Sequence, residues 1–213
     1  MKYNMVVIDP IVKGFIIDQE GFETKTYLPV RDGSVIGQSG VTFGVGIDVG
    51  QMDVKEFMDL GLPPKYESAL LPFVGKKGEY AAKLFREMGA IEIPAEIAMA
   101  VSERVIAKSL NDIAKKHKGF IDLPPQAQAV ILSLVHNYGH SALEFKTVKA
   151  IMKEDYATAI TKLRNHTPEE WKNRELWPRR GREADLLEGL VRQQQQQPLA
   201  MPAAGGVPVF NQG

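Results

Sequence analysis

Two carboxylates on either side of a glycine-bearing run are the first residues in this chain whose types and spacing can do chemistry. Glu20 follows the apolar stretch Phe15-Ile16-Ile17, and Asp48 lies near the end of Val41-Thr42-Phe43-Gly44-Val45-Gly46-Ile47-Asp48-Val49-Gly50. Hydrolysis of a sugar–sugar bond needs such a pair in unlike surroundings. One carboxyl group must keep its proton near neutral pH and give it to the leaving oxygen. The other must stay ionised to activate water or to support positive charge on the sugar. Burial beside Phe15 and Ile16, one helical turn back, raises the pKa of an acid. Glu20 is therefore expected to be the acid, and Asp48, beside Gly46 and Gly50 on an open polar face, the ionised base. Asp18 and Glu23 are close by in sequence and are expected to be solvated.

The run itself alternates. In a strand every second residue shares a face, so Thr42, Gly44, Gly46 and Asp48 point one way while Val41, Phe43, Val45, Ile47 and Val49 point the other. The second face is wholly apolar and belongs against a core. The first offers a hydroxyl, a carboxylate and two missing side chains, a surface on which a flat polar ring can lie. Periodicity alone equally allows a plainer reading, in which the glycines serve a bulge or bend and Asp48 is a turn residue. Six residues of straight strand would also separate Thr42 from Asp48 by roughly 20 Å. For both to act on one water the chain must double back between them, and Gly44 and Gly46 are the residues that allow it.

Several elements must hold these residues. Asp9-Pro10 reads as a helix start, a side-chain cap followed by proline in the first turn, and Gly21 as the stop, which puts Glu20 in the last turn of a short amphipathic helix. Residues 24–50 favour a small antiparallel sheet, with turns at Arg31-Asp32-Gly33 and Gln38-Ser39-Gly40. Helices are predicted from Asp53 to Leu60, Pro63 to Leu71, Glu79 to Met88, Pro94 to His117, Pro124 to Val135, Lys146 to Met152 and Tyr156 to Arg164. The stretch from Pro124 is apolar almost all round and predicts a buried central helix. Thr167-Pro168-Glu169-Glu170 has the form of a capping box, and Pro178 is expected to break or bend the chain after it. The order of elements gives an α+β class.

These residues resemble a known family. Glu20-Gly21, Tyr27-Leu28-Pro29 and Ser39-Gly40-Val41-Thr42-Phe43-Gly44-Val45-Gly46-Ile47-Asp48-Val49-Gly50-Gln51 are similar to the pesticin-type branch of phage-lysozyme-like muramidases. The likeness continues more weakly through Gln126 to Gly139, ending Asn137-Tyr138-Gly139, and through Lys153 to Leu163 and Arg179 to Leu187. Residues 60–93 match nothing in it. The resemblance implies a lysozyme-like fold with a small sheet lobe, a larger helical lobe, a long helix joining them and a glycan cleft between. It implies cleavage of the β-1,4 bond between N-acetylmuramic acid and N-acetylglucosamine of peptidoglycan. Glu20 would be the general acid, with Asp48 and Thr42 placing and activating the attacking water, and inversion is the expected outcome. In the related lysozymes of T-even phages the aspartate precedes the threonine, whereas here, as in the pesticin branch, it comes after. Tyr27, Gly44, Gly46 and Gln51 are expected to line the cleft and Asn137 to hydrogen-bond an N-acetyl group. Tyr138 fits core or cleft equally. His136 reads as an interior or cap residue, and Trp171 and Trp177 as core packing or sugar stacking. Arg179, Arg180 and Arg182 read as a solvated face or as contacts to anionic peptide stems.

Composition sets the bounds. The chain has 213 residues, 26 Lys plus Arg against 26 Asp plus Glu, 44% hydrophobic residues and no cysteine. Net neutrality argues against nucleic acid as a partner, and the lack of thiols removes disulfides and thiolate chemistry. No metal or cofactor is expected: His136 and His140 sit four apart without a further ligand pattern. No signal peptide or membrane span is expected, so the protein would be made in the host cytoplasm and would reach cell-wall peptidoglycan with help, or inside a virion. We read residues 1–192 as the catalytic domain of a monomer. Residues 193–213, from the glutamine run onward, read as a flexible tail or as a docking peptide for a virion or delivery protein. An inactive glycan-binding or virion structural protein with the same fold is the alternative function.

Overall fold

A computed structural model describes residues 7–165 and 176–196. Trp171, the Thr167 capping box and residues 197–213 lie outside them. Helix α1 (Pro10–Glu20) starts where Asp9 accepts from the Ile11 amide at 2.8 Å and stops at Gly21, whose φ of 76° few other residues tolerate. Five short strands follow: β1 (Glu23–Tyr27), β2 (Val30–Arg31), β3 (Ser34–Val35), β4 (Thr42–Gly44) and β5 (Ile47–Asp48). Strands β1, β4 and β5 form one antiparallel sheet in that order, and β2 and β3 a separate hairpin.

The remaining described chain is helical: α2 (Val54–Met58), α3 (Pro64–Leu70), α4 (Gly78–Met88), α5 (Ala95–Lys116), α6 (Pro125–Tyr138), α7 (Lys146–Ile151), α8 (Tyr156–Asn165) and α9 (Trp177–Gln196). This is the expected α+β class, a small antiparallel sheet followed by a larger set of helices. Two endpoints differ from the expectations. Pro178 neither breaks nor bends its helix. It sits at the second residue of α9, in the first turn, where a missing amide costs nothing. The glutamine run is also not wholly tail, because α9 continues through Gln196 and Gln193 accepts from Gln126 Nε2 at 3.1 Å.

Two cores meet along α5. Val41, Phe43, Ile47 and Val49, the apolar face of the alternating run, are buried with Phe57, Leu60, Leu62, Leu70, Phe73 and Ile93. Residues 60–93 thus cover the back of the sheet. Their last part also extends it: Thr26 N donates to Ile91 O at 2.9 Å and Ile93 N to Thr24 O at 2.8 Å. The larger core gathers Val12 and Ile16 of α1, most of α6, and Ala184, Leu187 and Leu190 of α9. Helix α5, 22 residues and about 33 Å long, gives Ala98 and Val101 to the first core and Ile106, Leu110 and Ile113 to the second.

Candidate functional site

The alternating run is not one strand but two. It reverses over Gly44-Val45-Gly46, with φ of 59° and 72° at the glycines, so that Thr42 pairs with Asp48 and Phe43 with Ile47. The distance that a straight strand would impose between Thr42 and Asp48 therefore disappears. Val49 N donates to Val41 O at 2.9 Å one residue further out. Thr42 and Asp48 consequently form the closer, non-hydrogen-bonded kind of pair, whose Cβ atoms are typically about 4.5–5.5 Å apart. On the other side Thr42 is paired with Tyr27 of β1. Tyr27, Thr42 and Asp48 thus form one row across the sheet.

The Asp48 carboxylate is gripped by the backbone. It accepts from Gly40 N at 2.9 and 3.1 Å and from Gly50 N at 2.9 Å, with Gln51 Nε2 at 3.4 Å. Every partner is a donor, as an ionised carboxylate requires. Both glycines are there because the backbones crowd: a Cβ on Gly50 would lie 2.2 Å from Lys76 O and 2.7 Å from Gly40 Cα. Gln51 also donates to Gln38 O at 2.5 Å, which fixes its amide beside Asp48.

Thr42 and Gly44 differ from the open polar face expected of them. Thr42 is buried and its hydroxyl donates to Gly40 O at 3.1 Å, which leaves its oxygen free to act only as an acceptor. Gly44 is buried too, and it does not line a cleft: a Cβ there would lie 2.6 Å from Ser102 Oγ of α5. Its side chain is absent so that the hairpin tip can dock on that helix, where Val45 N donates to Ser102 Oγ at 3.3 Å. Gly46 is the exposed member, with Glu20 Oε2 3.7 Å from where its Cβ would be. Glu20 and the hairpin therefore face each other. The Tyr27 hydroxyl, whose pKa is raised by burial and then by the charges of Glu23, Glu20 and Asp48, lies within the field of both candidate carboxylates. Asp18 and Glu23 are solvent-exposed, as expected.

The state of Glu20 corrects the sequence reading. Burial does push its carboxyl up, but contact with His136 and the charge and hydrogen bond of Arg179 outweigh that and hold it at about 2. Arg179 Nη2 donates to Glu20 Oε1 at 2.6 Å, and His136 Nδ1 lies 3.6 Å away. The apolar neighbours in sequence gave the right sign for burial and no hint of Arg179 or His136. A carboxylate at a helix C-terminus also meets the negative end of the helix dipole, and these groups offset it.

Arg179 and Arg180 are buried, not on a solvated face or free for peptide stems. Arg179 Nε donates to Ser133 Oγ at 2.9 Å. Arg180 Nη2 donates to Glu183 at 2.6 Å and to Asn137 Oδ1 at 2.7 Å, and its guanidinium lies 5.5 Å from the Tyr138 ring centre. Asn137 Oδ1 thus faces Arg180, and its amide nitrogen is a donor with no hydrogen-bond partner among the described residues. Tyr138 packs edge-on against Phe145 at 5.3 Å and Trp177 packs against the larger core, so both sit in packing roles. Arg182 donates to Gln19 Oε1 at 2.9 Å. A separate hollow of about 390 Å³ between the β2–β3 hairpin and α4 touches the site only through Tyr27.

With this geometry in view, the family described as "Pesticin: Bacterial toxin homologue of phage lysozyme, C-term" matches residues 10–158. That stretch includes Glu20, Thr42, Asp48 and Asn137 and ends before Arg179 and Glu183. No curated protein matches the chain.

Proposed function

The chain belongs to the pesticin family of phage-lysozyme homologues, a membership that supports a muramidase-type glycoside hydrolase acting on peptidoglycan, and we propose that it cleaves the β-1,4 bond from N-acetylmuramic acid to N-acetylglucosamine with inversion. The observation that carries this reading is the row Tyr27–Thr42–Asp48 facing Glu20 across Gly46. Water seated on that row donates one proton to Asp48 and the other to the Thr42 oxygen, which directs its lone pair at the anomeric carbon. Glu20, on the other side of the sugar, gives its proton to the leaving oxygen as the bond breaks. A glycan laid over Glu20 excludes water and deepens the burial that already pushes its carboxyl up, which favours the protonated form in the complex.

In this reading Gln51 steers Asp48, Tyr27 and Gly46 border the sugar, and the Asn137 amide nitrogen donates to an acetamido carbonyl. Action is on cell-wall peptidoglycan, by a protein made in a host cytoplasm and delivered by a separate export route or a virion.

A second reading, glycan binding without cleavage, draws on one observation: in the free protein Glu20 is an ion-paired carboxylate. Purified peptidoglycan incubated with wild type, Glu20→Gln and Asp48→Asn separates the two. The muramidase reading requires new reducing ends from wild type and none from Glu20→Gln. Protein that sediments with peptidoglycan and releases nothing belongs to the second reading.

A further inference from the structure

Glu183 is a wholly buried carboxylate that the proposed reaction does not use. Its Oε1 accepts from Ser133 Oγ at 2.5 Å and from Arg180 Nη2 at 2.6 Å, with Arg179 Nε at 3.7 Å, while its Oε2 meets no hydrogen-bond partner. Ser133 is the hinge of this arrangement. The same hydroxyl that donates to Glu183 accepts from Arg179 Nε at 2.9 Å, and Arg179 Nη2 in turn holds Glu20. Two carboxylates therefore share the positive charge of Arg179, one at the edge of the cleft and one in the core.

We propose that Glu183 is a positioning residue for the acid, acting through Arg179: by drawing on the charge of Arg179 it loosens the grip on Glu20 and lets Glu20 take up the proton that glycan cleavage consumes. This rests on the reading of Glu20 as that acid. When Glu183 is ionised, Arg179 has a second counter-ion and Glu20 can become neutral without leaving a buried guanidinium unpaired, an arrangement that is otherwise strongly disfavoured. When Glu183 is neutral, Arg179 has Glu20 alone. Burial pushes Glu183 up to about 7, against the pull of Arg180, Ser133, Arg179 and Arg182, so its charge changes in the range where such an enzyme works.

Among the described residues few other groups face this pair. From α6 come His136, against Glu20, and Tyr138, near Arg180 and Glu183. From β1 comes Tyr27, within the field of Glu20. From α9 itself come Arg179, Arg180 and Arg182. Arg164 of α8 is turned to Asp185 and Glu188 on the outer side of α9.

The test is the pH profile of kcat on peptidoglycan for wild type, Glu20→Gln and Glu183→Gln. Loss of the Glu183 charge leaves Arg179 to Glu20, so the descending limb of Glu183→Gln moves to lower pH by roughly one unit relative to its own plateau. A purely structural role would lower the plateau and leave the limb in place. Should Glu183→Gln not fold, Ser133→Ala keeps every charge and removes both the donor to Glu183 and the acceptor for Arg179 Nε. The carboxyl then rises further and the limb moves in the same direction. If Glu20→Gln is inactive and the limbs of both remaining variants overlay wild type, the role of Glu183 is overturned while that of Glu20 stands. If Glu20→Gln is active, the underlying reading is lost first.

Discussion

Arg179 of α9 donates to Glu20 of α1 at 2.6 Å, joining residues 159 positions apart in the chain, and the guanidinium is almost fully buried. Such a pair is costly to make and costlier to break on one side only. Replacing Arg179 by Met leaves Glu20 without its arginine and Glu183 with Arg180 alone. We expect unfolding free energy at pH 7 to fall by about 3–5 kcal/mol, measured by urea titration. The deficit should shrink as the pH is lowered and the two carboxyls become neutral. A deficit independent of pH would mean that packing, not charge, is what Arg179 provides.

The two glutamates should also leave opposite marks on the pH dependence of stability. Glu20 is depressed from 4.5 to about 2, so its contribution is complete above pH 4.5 and is lost as the pH falls through about 2. Glu183 is raised from 4.5 to about 7, so its contribution is complete below pH 4.5 and is lost as the pH rises through about 7. The difference in Tm between wild type and Glu183→Gln should therefore decline from pH 4.5 to pH 7, and that between wild type and Glu20→Gln should decline from pH 4.5 towards pH 2. Parallel curves across either window would contradict the corresponding assignment.

How far the sequence reveals this site depends on the range of each interaction. Asp9-Pro10, Gly21 and the apolar run after Pro125 act within a turn or two of themselves, and the helices they predict are present. The alternation correctly gives Val41, Phe43, Ile47 and Val49 to one core, but Thr42 and Gly44 of the expected polar face are buried as well and Val45 joins the other core, because the chain reverses and docks on α5. That reversal is not visible in periodicity. Only the positive φ at Gly44 and Gly46 produces it, and a glycine in sequence does not announce its φ. The partners of Glu20 were out of reach for a different reason. His136 lies on a helix with a different apolar face, and Arg179 lies in a cluster of arginines that composition would put in solvent. The one local signal was Glu183, spaced three and four residues from Arg180 and Arg179, together with Ser133 as a buried polar residue on an apolar helix.

Glycines in this chain serve unlike purposes, and alanine substitution should divide them. A Cβ on Gly50 would strike the Lys76 carbonyl and the Gly40 backbone, neither of which is the movable end of a side chain. Gly50→Ala is expected to destabilise by more than about 2 kcal/mol and to weaken the amide grip on Asp48. Gly14 is in the middle of α1 with nothing within 4 Å of its Cβ position, so Gly14→Ala should stabilise by about 0.5–1 kcal/mol. Chemical denaturation of both variants checks the pair. A tolerated Gly50→Ala would mean that the backbones of Gly40, Gly50 and Lys76 can move apart at little cost.

The hairpin that pairs Thr42 with Asp48 makes a stereochemical demand. In the proposed reaction both residues stand on the sheet side of the sugar, and Glu20, which faces Gly46, reaches it from the other. If water held by Asp48 and Thr42 is the nucleophile, it enters opposite the departing oxygen, and the β-linkage yields an α product. Proton NMR of a fresh digest, recorded before mutarotation, should therefore show the α anomer of N-acetylmuramic acid first. Asp48→Asn keeps the shape of the carboxylate but can no longer take a proton from water. We expect kcat to fall by about 10²- to 10⁴-fold, while sedimentation with peptidoglycan is retained. Thr42→Val removes an acceptor for the water and the hydrogen bond to Gly40 O, and should cost less than Asp48→Asn. An initial β product would instead make Asp48 a nucleophile that attacks the sugar directly, in which case Thr42 would have no water to hold and Thr42→Val should leave the first step unaffected.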